Sequence, residues 1–264
     1  MHYTAADHTF SVCAYKESPY LEECICSLLS QSVKTNIIIA TSTPNEYIKA
    51  LADKYNLPVF VNIGESGISG DWNFALSAAK TELITIAHQD DIYEPEYAEK
   101  LLKTVNRRKN IILYSCNYGE LRNGVKINSN RLLNVKKILR IPMRLFPNRV
   151  FARRMSLAFG DSICCPSVTY VKSIISEHPF TKDYKADLDW QQWEKLSKLE
   201  GAFAYCNDYL MYHRIHEESE TSHVIGETGR GREDYEMFLR FWPVPVAKLL
   251  AHRYADAEKS NDME

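Results

Sequence analysis

Phe10-Ser11-Val12-Cys13-Ala14-Tyr15-Lys16-Glu17-Ser18-Pro19-Tyr20-Leu21-Glu22-Glu23-Cys24-Ile25 changes its period midway. Residues 10–14 form a short apolar run of strand character. Ser18 and Pro19 then supply an N-cap and a proline at the first helical position. Leu21, Cys24, Ile25, Leu28 and Leu29 repeat at helical spacing, and Glu22 and Glu23 sit where the helix dipole favours acids. The same alternation continues outward from this stretch. Residues 36–41 read as a β-branched strand. A helix starting at Pro44 carries Ile48, Leu51, Ala52 and Tyr55. Residues 58–62 read as a third strand, 64–70 as a glycine-containing loop, and 71–79 as a helix. Residues 83–87 give a fourth strand, a helix opened by Pro95 runs through Val105, and 111–115 give another strand. Strand and helix in turn predict an α/β fold with a mostly parallel central sheet flanked by helices. In such sheets ligands sit at the carboxyl ends of strands, so the loops after Ala14, Thr41, Asn62 and Ala87 become the places to look.

Past residue 122 the pattern changes to short helices around Pro142 and Pro147. A helix over 187–199 and a strand over 203–206 follow. Beyond Gly231 comes a helix pair broken by Pro243 and Pro245, with a polar tail over 257–264. We therefore expect one domain over 1–230, with halves 1–118 and 119–230, and a C-terminal helical extension and tail over 231–264. The chain has 264 residues, 45% hydrophobic and 25% charged, an ordinary globular composition. No apolar run approaches the roughly 18–20 residues of a membrane span. Met1-His2-Tyr3-Thr4 has no basic head and apolar stretch, so no signal peptide is expected. The seven cysteines form no C-x-x-C pair and read as buried thiols of a reducing cytoplasm. Net charge is −2, yet ten of the 32 basic residues and none of the 34 acidic ones fall within 122–154. That is a +10 segment inside a body of −12.

Four constellations carry chemistry. His88-Gln89-Asp90-Asp91 follows the fourth strand. Adjacent carboxylates there suit a divalent cation, although they equally suit capping of the next helix. Asp187-Leu188-Asp189-Trp190 opens a helix on which Asp189 lies beside two indoles. That makes it a candidate general base or an N-terminal acid above an aromatic stripe. Tyr212-His213-Arg214-Ile215-His216 runs on to Thr221. It suits a diphosphate or a metal, or a solvated charged loop. Gly160-Asp161-Ser162-Ile163-Cys164-Cys165-Pro166 is a small-residue loop able to approach a substrate closely. Neither G-x-G-x-x-G, nor Walker A, nor G-x-S-x-G occurs, which argues against dinucleotide, P-loop and hydrolase chemistry.

In order, these segments resemble family 2 of the inverting glycosyltransferases with the GT-A fold, over roughly residues 8–225. The opening strand and helix, the segment Asn62 to Ala79, and His88-Gln-Asp-Asp at the place of the Asp-x-Asp metal motif carry the likeness. So do Asp189, four residues before a Trp, and Leu210-Met-Tyr-His-Arg-Ile-His-Glu-Glu-Ser. The resemblance implies Asp189 as catalytic base and a Mn²⁺ or Mg²⁺ ion held by Asp90 and His216, with Asp91 and His88 as additional contacts. It implies donor contacts from Ala14, Tyr15, Glu17, Ser42, Trp72, Asn73, Gln89, Asp90 and Arg214. The sequence departs from the pattern with His88 in the first metal position, with Trp72 where arginine is frequent, and with no acid after the second strand (Thr41-Ser42-Thr43).

The implied reaction is a single displacement. Asp189 takes a proton from an acceptor hydroxyl as it attacks the anomeric carbon, and a nucleoside diphosphate leaves. The resemblance implies a hexosyl- or N-acetylhexosaminyltransferase using a UDP-sugar first among donors and a saccharide or lipid-linked saccharide acceptor. The expected setting is surface-polysaccharide synthesis, capsule or lipopolysaccharide, in the cytoplasm. Apolar residues interleave the basic segment 122–154, which predicts a peripheral contact with the anionic inner face of the membrane rather than with nucleic acid. A non-catalytic nucleotide-sugar-binding or assembly protein is the alternative, and a sugar nucleotidyltransferase a weaker one, since residues 15–19 lack a glycine-rich basic loop.

Overall fold

The computed structural model describes residues 2–216 and 230–261. In chain order the elements are β1 (His8–Ala14), α1 (Leu21–Leu29), β2 (Asn36–Thr41), α2 (Glu46–Tyr55), β3 (Val59–Val61), α3 (Ile68–Ala78), β4 (Leu83–His88), β5 (Ile92–Tyr93) and α4 (Tyr97–Val105). Then come β6 (Ile111–Arg122), β7 (Val125–Ile127), α5 (Arg131–Leu139), α6 (Ile141–Leu145), α7 (Val150–Leu157), β8 (Val168–Val171), α8 (Lys172–Ile175), α9 (Leu188–Ser197) and β9 (Ala202–Ile215). Two helices end the described chain, α10 (Arg230–Leu239) and α11 (Val244–Asn261).

The strands join one sheet in the order β3-β2-β1-β4-β8-β6-β9-β5, with β7 paired to β6. The first four are mutually parallel, as the alternation predicted. β8 is then inserted antiparallel between β4 and β6. β6 and β9 are parallel to each other and resume the original direction. The sheet therefore presents the carboxyl ends of β1, β2 and β4 on one side.

Each face of the sheet buries its own core. Phe10 and Val12 meet Leu21, Ile25, Ile48 and Leu101 of α1, α2 and α4. Ile84 and Ile86 belong to the opposite core, with Leu157, Trp190, Trp193 and Phe238 of α7, α9 and α10. Full burial of such side chains contributes roughly 1.5–3 kcal/mol each, so the helices are held chiefly by these faces. β1 also buries the polar His8, Thr9 and Ser11; His8 is fully buried, with Nδ1 3.1 Å from Thr35 Oγ1 and Nε2 2.8 Å from Thr85 Oγ1.

Several boundaries differ from the sequence reading. α1 starts at Leu21, not Pro19, because the Ser18 hydroxyl turns to accept the Tyr20 N–H at 3.3 Å and the Ser18 carbonyl accepts that of Leu21. β6 runs seven residues past Ser115, to Arg122, and β9 runs from Ala202 to Ile215. Asn117, past the expected end of β6, is buried and satisfied: its Oδ1 accepts from Arg140 at 2.8 Å and from Tyr205 at 3.1 Å. α11 is helical to Asn261, so most of the expected polar tail is helix; residues 262–264 lie outside the described residues. The C-terminal helices pack Met237, Phe238 and Ala247 into the second core.

Candidate active site

β4 delivers His88 at its carboxyl end, and the turn after it delivers Asp90 and Asp91. Asp91 is fully buried. Its Oδ1 accepts the Arg214 N–H at 2.9 Å and lies 3.0 Å from His213 Nδ1. Arg214 Nε donates to the Asp90 carbonyl at 2.7 Å, and His216 Nε2 lies 3.0 Å from Asp90 Oδ2. The end of β9 is thus bolted to the turn after β4. Burial tends to raise the Asp90 carboxyl, but the His216 hydrogen bond and the neighbouring His88 and His213 outweigh it and hold it at about 2. Asp90 is therefore an anion at neutral pH. Burial lowers His213, but Asp91 overrides that and lifts it to about 9.

His88, Asp90 and Asp91 each present a ligand atom, all within 4.8 Å of one another. His88 Nε2 and Asp91 Oδ2 are buried and make no hydrogen bond among the described residues. A buried carboxylate oxygen and a buried ring nitrogen without hydrogen bonds, beside a held anion, are costly unless a partner completes them, and a cation in the cluster would do so. One imidazole nitrogen with carboxylate oxygens fits Mn²⁺ better than Mg²⁺, which favours an all-oxygen shell. Trp72 stacks on His88, ring centroids 5.3 Å apart and 23° between planes, which fixes the imidazole.

Around this centre lie the other expected residues. The loop after β1 is tied to the turn after β4 by a reciprocal pair: the Tyr15 N–H donates to Gln89 Oε1 at 2.9 Å, and Gln89 Nε2 donates to the Tyr15 carbonyl at 3.1 Å. Ala14 is buried just below, Tyr15 is 44% exposed, and Glu17 is exposed. Ser42 Oγ donates to Asp71 Oδ2 at 2.9 Å, and Asn62 Nδ2 donates to Asp71 Oδ1 at 2.9 Å. The acid missing after β2 is therefore supplied in space by α3. Asn73 gives both ends of its amide to the Phe180 backbone, at 2.9 and 3.0 Å, and acts as a clamp. The Arg214 guanidinium is paired with Glu23 at 2.5 Å and lies over the Tyr20 ring at 4.4 Å, so it braces α1 against the site. Of the run 212–221, residues 217–221 lie outside the described residues.

Asp189 occupies the first turn of α9, with Oδ1 accepting the Trp190 N–H at 2.8 Å. Trp190 and Trp193 turn into the core: Trp190 meets Phe238 edge-on and Trp193 stacks on Tyr170. The loop before α9 is held by Glu233 of α10, which accepts the N–H groups of Lys185, Ala186 and Asp187 at 2.8–3.1 Å. Burial raises the Asp189 carboxyl, against the opposing hydrogen bonds of Asp161 and Trp190 and the charge of Lys136. Lys136 of α5 interacts with Asp161 and also with His213, and Cys164 interacts with Asp91 as well as with Asp161 and Asp189. Asp161, Lys136, Asp71 and Glu233 were not singled out individually in the sequence; only Asp161 lay in a flagged loop.

The sheet and its flanking helices have the GT-A fold of glycosyltransferases. S. aureus TarS (residues 1–349, in complex with UDP-GlcNAc) matches at a TM-score of 0.67 and 14% identity, over 93% of this chain and 70% of that one. The mannosyltransferase PcManGT from Pyrobaculum calidifontis, in complex with GDP-Man and Mn²⁺, matches at 0.64 and 16%, over 94% and 69%. An uncharacterized glycosyltransferase of Rickettsia typhi is 24% identical over 226 residues, 84% of this chain and 67% of its own length. Residues 9–169 match the model of glycosyl transferase family 2, more than half of the chain, and the chain belongs to that family.

Proposed function

We propose that the chain is an inverting transferase that moves a sugar from a nucleotide-diphosphate sugar to an acceptor hydroxyl in one displacement. The observation that carries this reading is the set His88, Asp90 and Asp91 after β4, with two buried atoms lacking hydrogen bonds among the described residues. A divalent cation, Mn²⁺ by the donor set, would compensate the charge of the leaving diphosphate when bound. Asp90 would hold it with His88, Asp91 Oδ2 and His216. The Tyr15, Gln89 and Ser42 loops would form the nucleotide side, and Trp72 would face the donor from beside His88. Asp189 would accept the acceptor's proton, a role for which a raised carboxyl suits neutral pH. The UDP-GlcNAc and GDP-Man bound by the similar structures support this donor class, with UDP-sugars first.

The test is a donor-hydrolysis and transfer screen over UDP-, GDP- and dTDP-sugars with Mn²⁺, with Mg²⁺ and with chelator. Cation-dependent turnover of at least one donor is expected. Binding without turnover of any donor, with or without saccharide acceptors, would instead favour a non-catalytic sugar-nucleotide-binding protein.

The acceptor side is proposed to meet an anionic bilayer and a lipid-linked saccharide of surface-polysaccharide synthesis. No described helix is long and apolar enough to cross a membrane. The surface is narrower than the +10 segment suggested. Arg122, Lys126 and Arg154 pair with Glu120, Glu94 and Glu194. Arg140 and Arg153 are buried, and Lys136 faces the site. Arg131, Lys137, Arg144 and Arg149 remain beside exposed Ile138, Leu145, Phe146 and Phe151, the last 76% exposed. Basic and apolar side chains on one set of helices are what an anionic membrane surface attracts. Binding to anionic vesicles at low salt, reduced in F146S/F151S, is expected; equal binding to neutral vesicles would contradict it.

A further inference from the structure

A cavity of about 450 Å³ opens between α6, the first half of β9 and the loop that enters β6. It is lined by Arg108, Ile141, Arg144, Leu145, Tyr205 and Asn207, none of which belongs to the site described above. Its charge is one-sided. The Arg144 guanidinium lies over the Tyr205 ring at 5.3 Å, and that of Arg140, one turn earlier, lies 5.6 Å from the same ring. Arg140 is fully buried; its Nη2 donates to Asn117, and its Nε makes no hydrogen bond. Among the described residues no carboxylate pairs with Arg108, Arg140 or Arg144, and Asp208, next to Asn207, is taken by Lys100. Arg107 and Lys109 flank Arg108 on the same exposed loop. Like charges one helical turn apart repel, and a buried guanidinium without a counter-charge is costly. An anion in the cavity would offset both.

We propose that this cavity takes the phosphate headgroup of an anionic phospholipid, held by the Arg108 and Arg144 guanidinium groups and the Asn207 amide. Guanidinium groups match phosphate oxygens with paired donors. The rim argues for a lipid over a soluble phosphate: Leu145 is 66% exposed, and Ile141 and Phe146 are exposed with it. Such side chains gain nothing from a soluble anion but bury apolar surface among acyl chains. The inference deepens the membrane reading of this face and rests on it, and it is independent of Asp189. It names one site in place of a diffuse basic surface. It also brings the loop after α4, which lies outside the basic segment 122–154, into the contact.

The test sediments the full chain with vesicles of phosphatidylcholine alone and of phosphatidylcholine with phosphatidylglycerol. R108Q/R144Q and R131Q/R149Q remove the same charge, but only the first pair lines the cavity. Binding to the phosphatidylglycerol vesicles should fall roughly tenfold further in R108Q/R144Q than in R131Q/R149Q. R108Q alone, at an exposed loop residue, should carry part of that loss with unchanged thermal unfolding. Equal losses in the two pairs would overturn the proposal and leave the membrane reading standing, since the attraction would then be diffuse. Equal binding of the unsubstituted chain to both vesicles would overturn the two together. Calorimetry with inorganic pyrophosphate separates the sources of phosphate. Pyrophosphate binding that R108Q/R144Q removes, with vesicle binding unchanged in that pair, would assign the cavity to a soluble phosphate and overturn the lipid.

Discussion

Asp90 and Asp91 are neighbours in sequence and differ in task. Asp91 is fully buried and spends Oδ1 on the end of β9; Asp90 is partly exposed and held anionic beside His216. D90A should abolish Mn²⁺-dependent tightening of nucleotide-sugar binding in calorimetry while the fold persists. Unchanged Mn²⁺ dependence would remove Asp90 from the ion's shell. His8 gives a prediction about stability. Burial pushes it down to about 3 from 6.5, so the folded state holds it neutral. Its contribution is complete above pH 6.5 and is lost as pH falls from 6.5 toward 3, by up to about 1.4 kcal/mol per pH unit. Thermal unfolding should show the melting temperature falling between pH 6.5 and 5, and less steeply in H8Q. Asp189 was legible because a short spacing to tryptophan carries it. Asp71 was not, because it acquires its partner Ser42 only when α3 folds against the end of β2.

At the scale of elements, the β/α alternation of the first half was legible because each strand is apolar and each helix has a clear face. β6 and β9 were read short because their buried polar residues find partners far away in sequence, as Asn117 does with Arg140 and Tyr205. β8 between β4 and β6 was not anticipated either: four residues carry no period that fixes direction. Two contacts position the base-bearing helix. E233A would leave three backbone N–H groups before α9 without their acceptor, a loss of roughly 1–3 kcal/mol that denaturant unfolding would measure. G160A places a Cβ against Tyr254 at a strained φ and should cost roughly 1–3 kcal/mol, again read by denaturant unfolding.

For the whole molecule, the net charge of −2 hides a division of labour. Acids cluster where a cation and a base are wanted, and much of the basic segment is spent inside the fold. Arg153 donates to the carbonyls of Pro147 and Ser197, which sew α7 to the end of α9, and Arg154 pairs with Glu194. Charge counting alone overstates the basic surface, because sequence does not reveal which arginines turn inward. The family and the GT-A sheet follow from the chain as a whole, whereas the proposed chemistry rests on Asp189 as base. The measurement that bears on it most directly compares the unsubstituted chain with D189N, for both Mn²⁺-dependent donor binding and turnover. Donor affinity should be unchanged and turnover should fall by roughly a hundredfold or more. Full turnover in D189N would contradict the assignment of the base and with it the single-displacement mechanism.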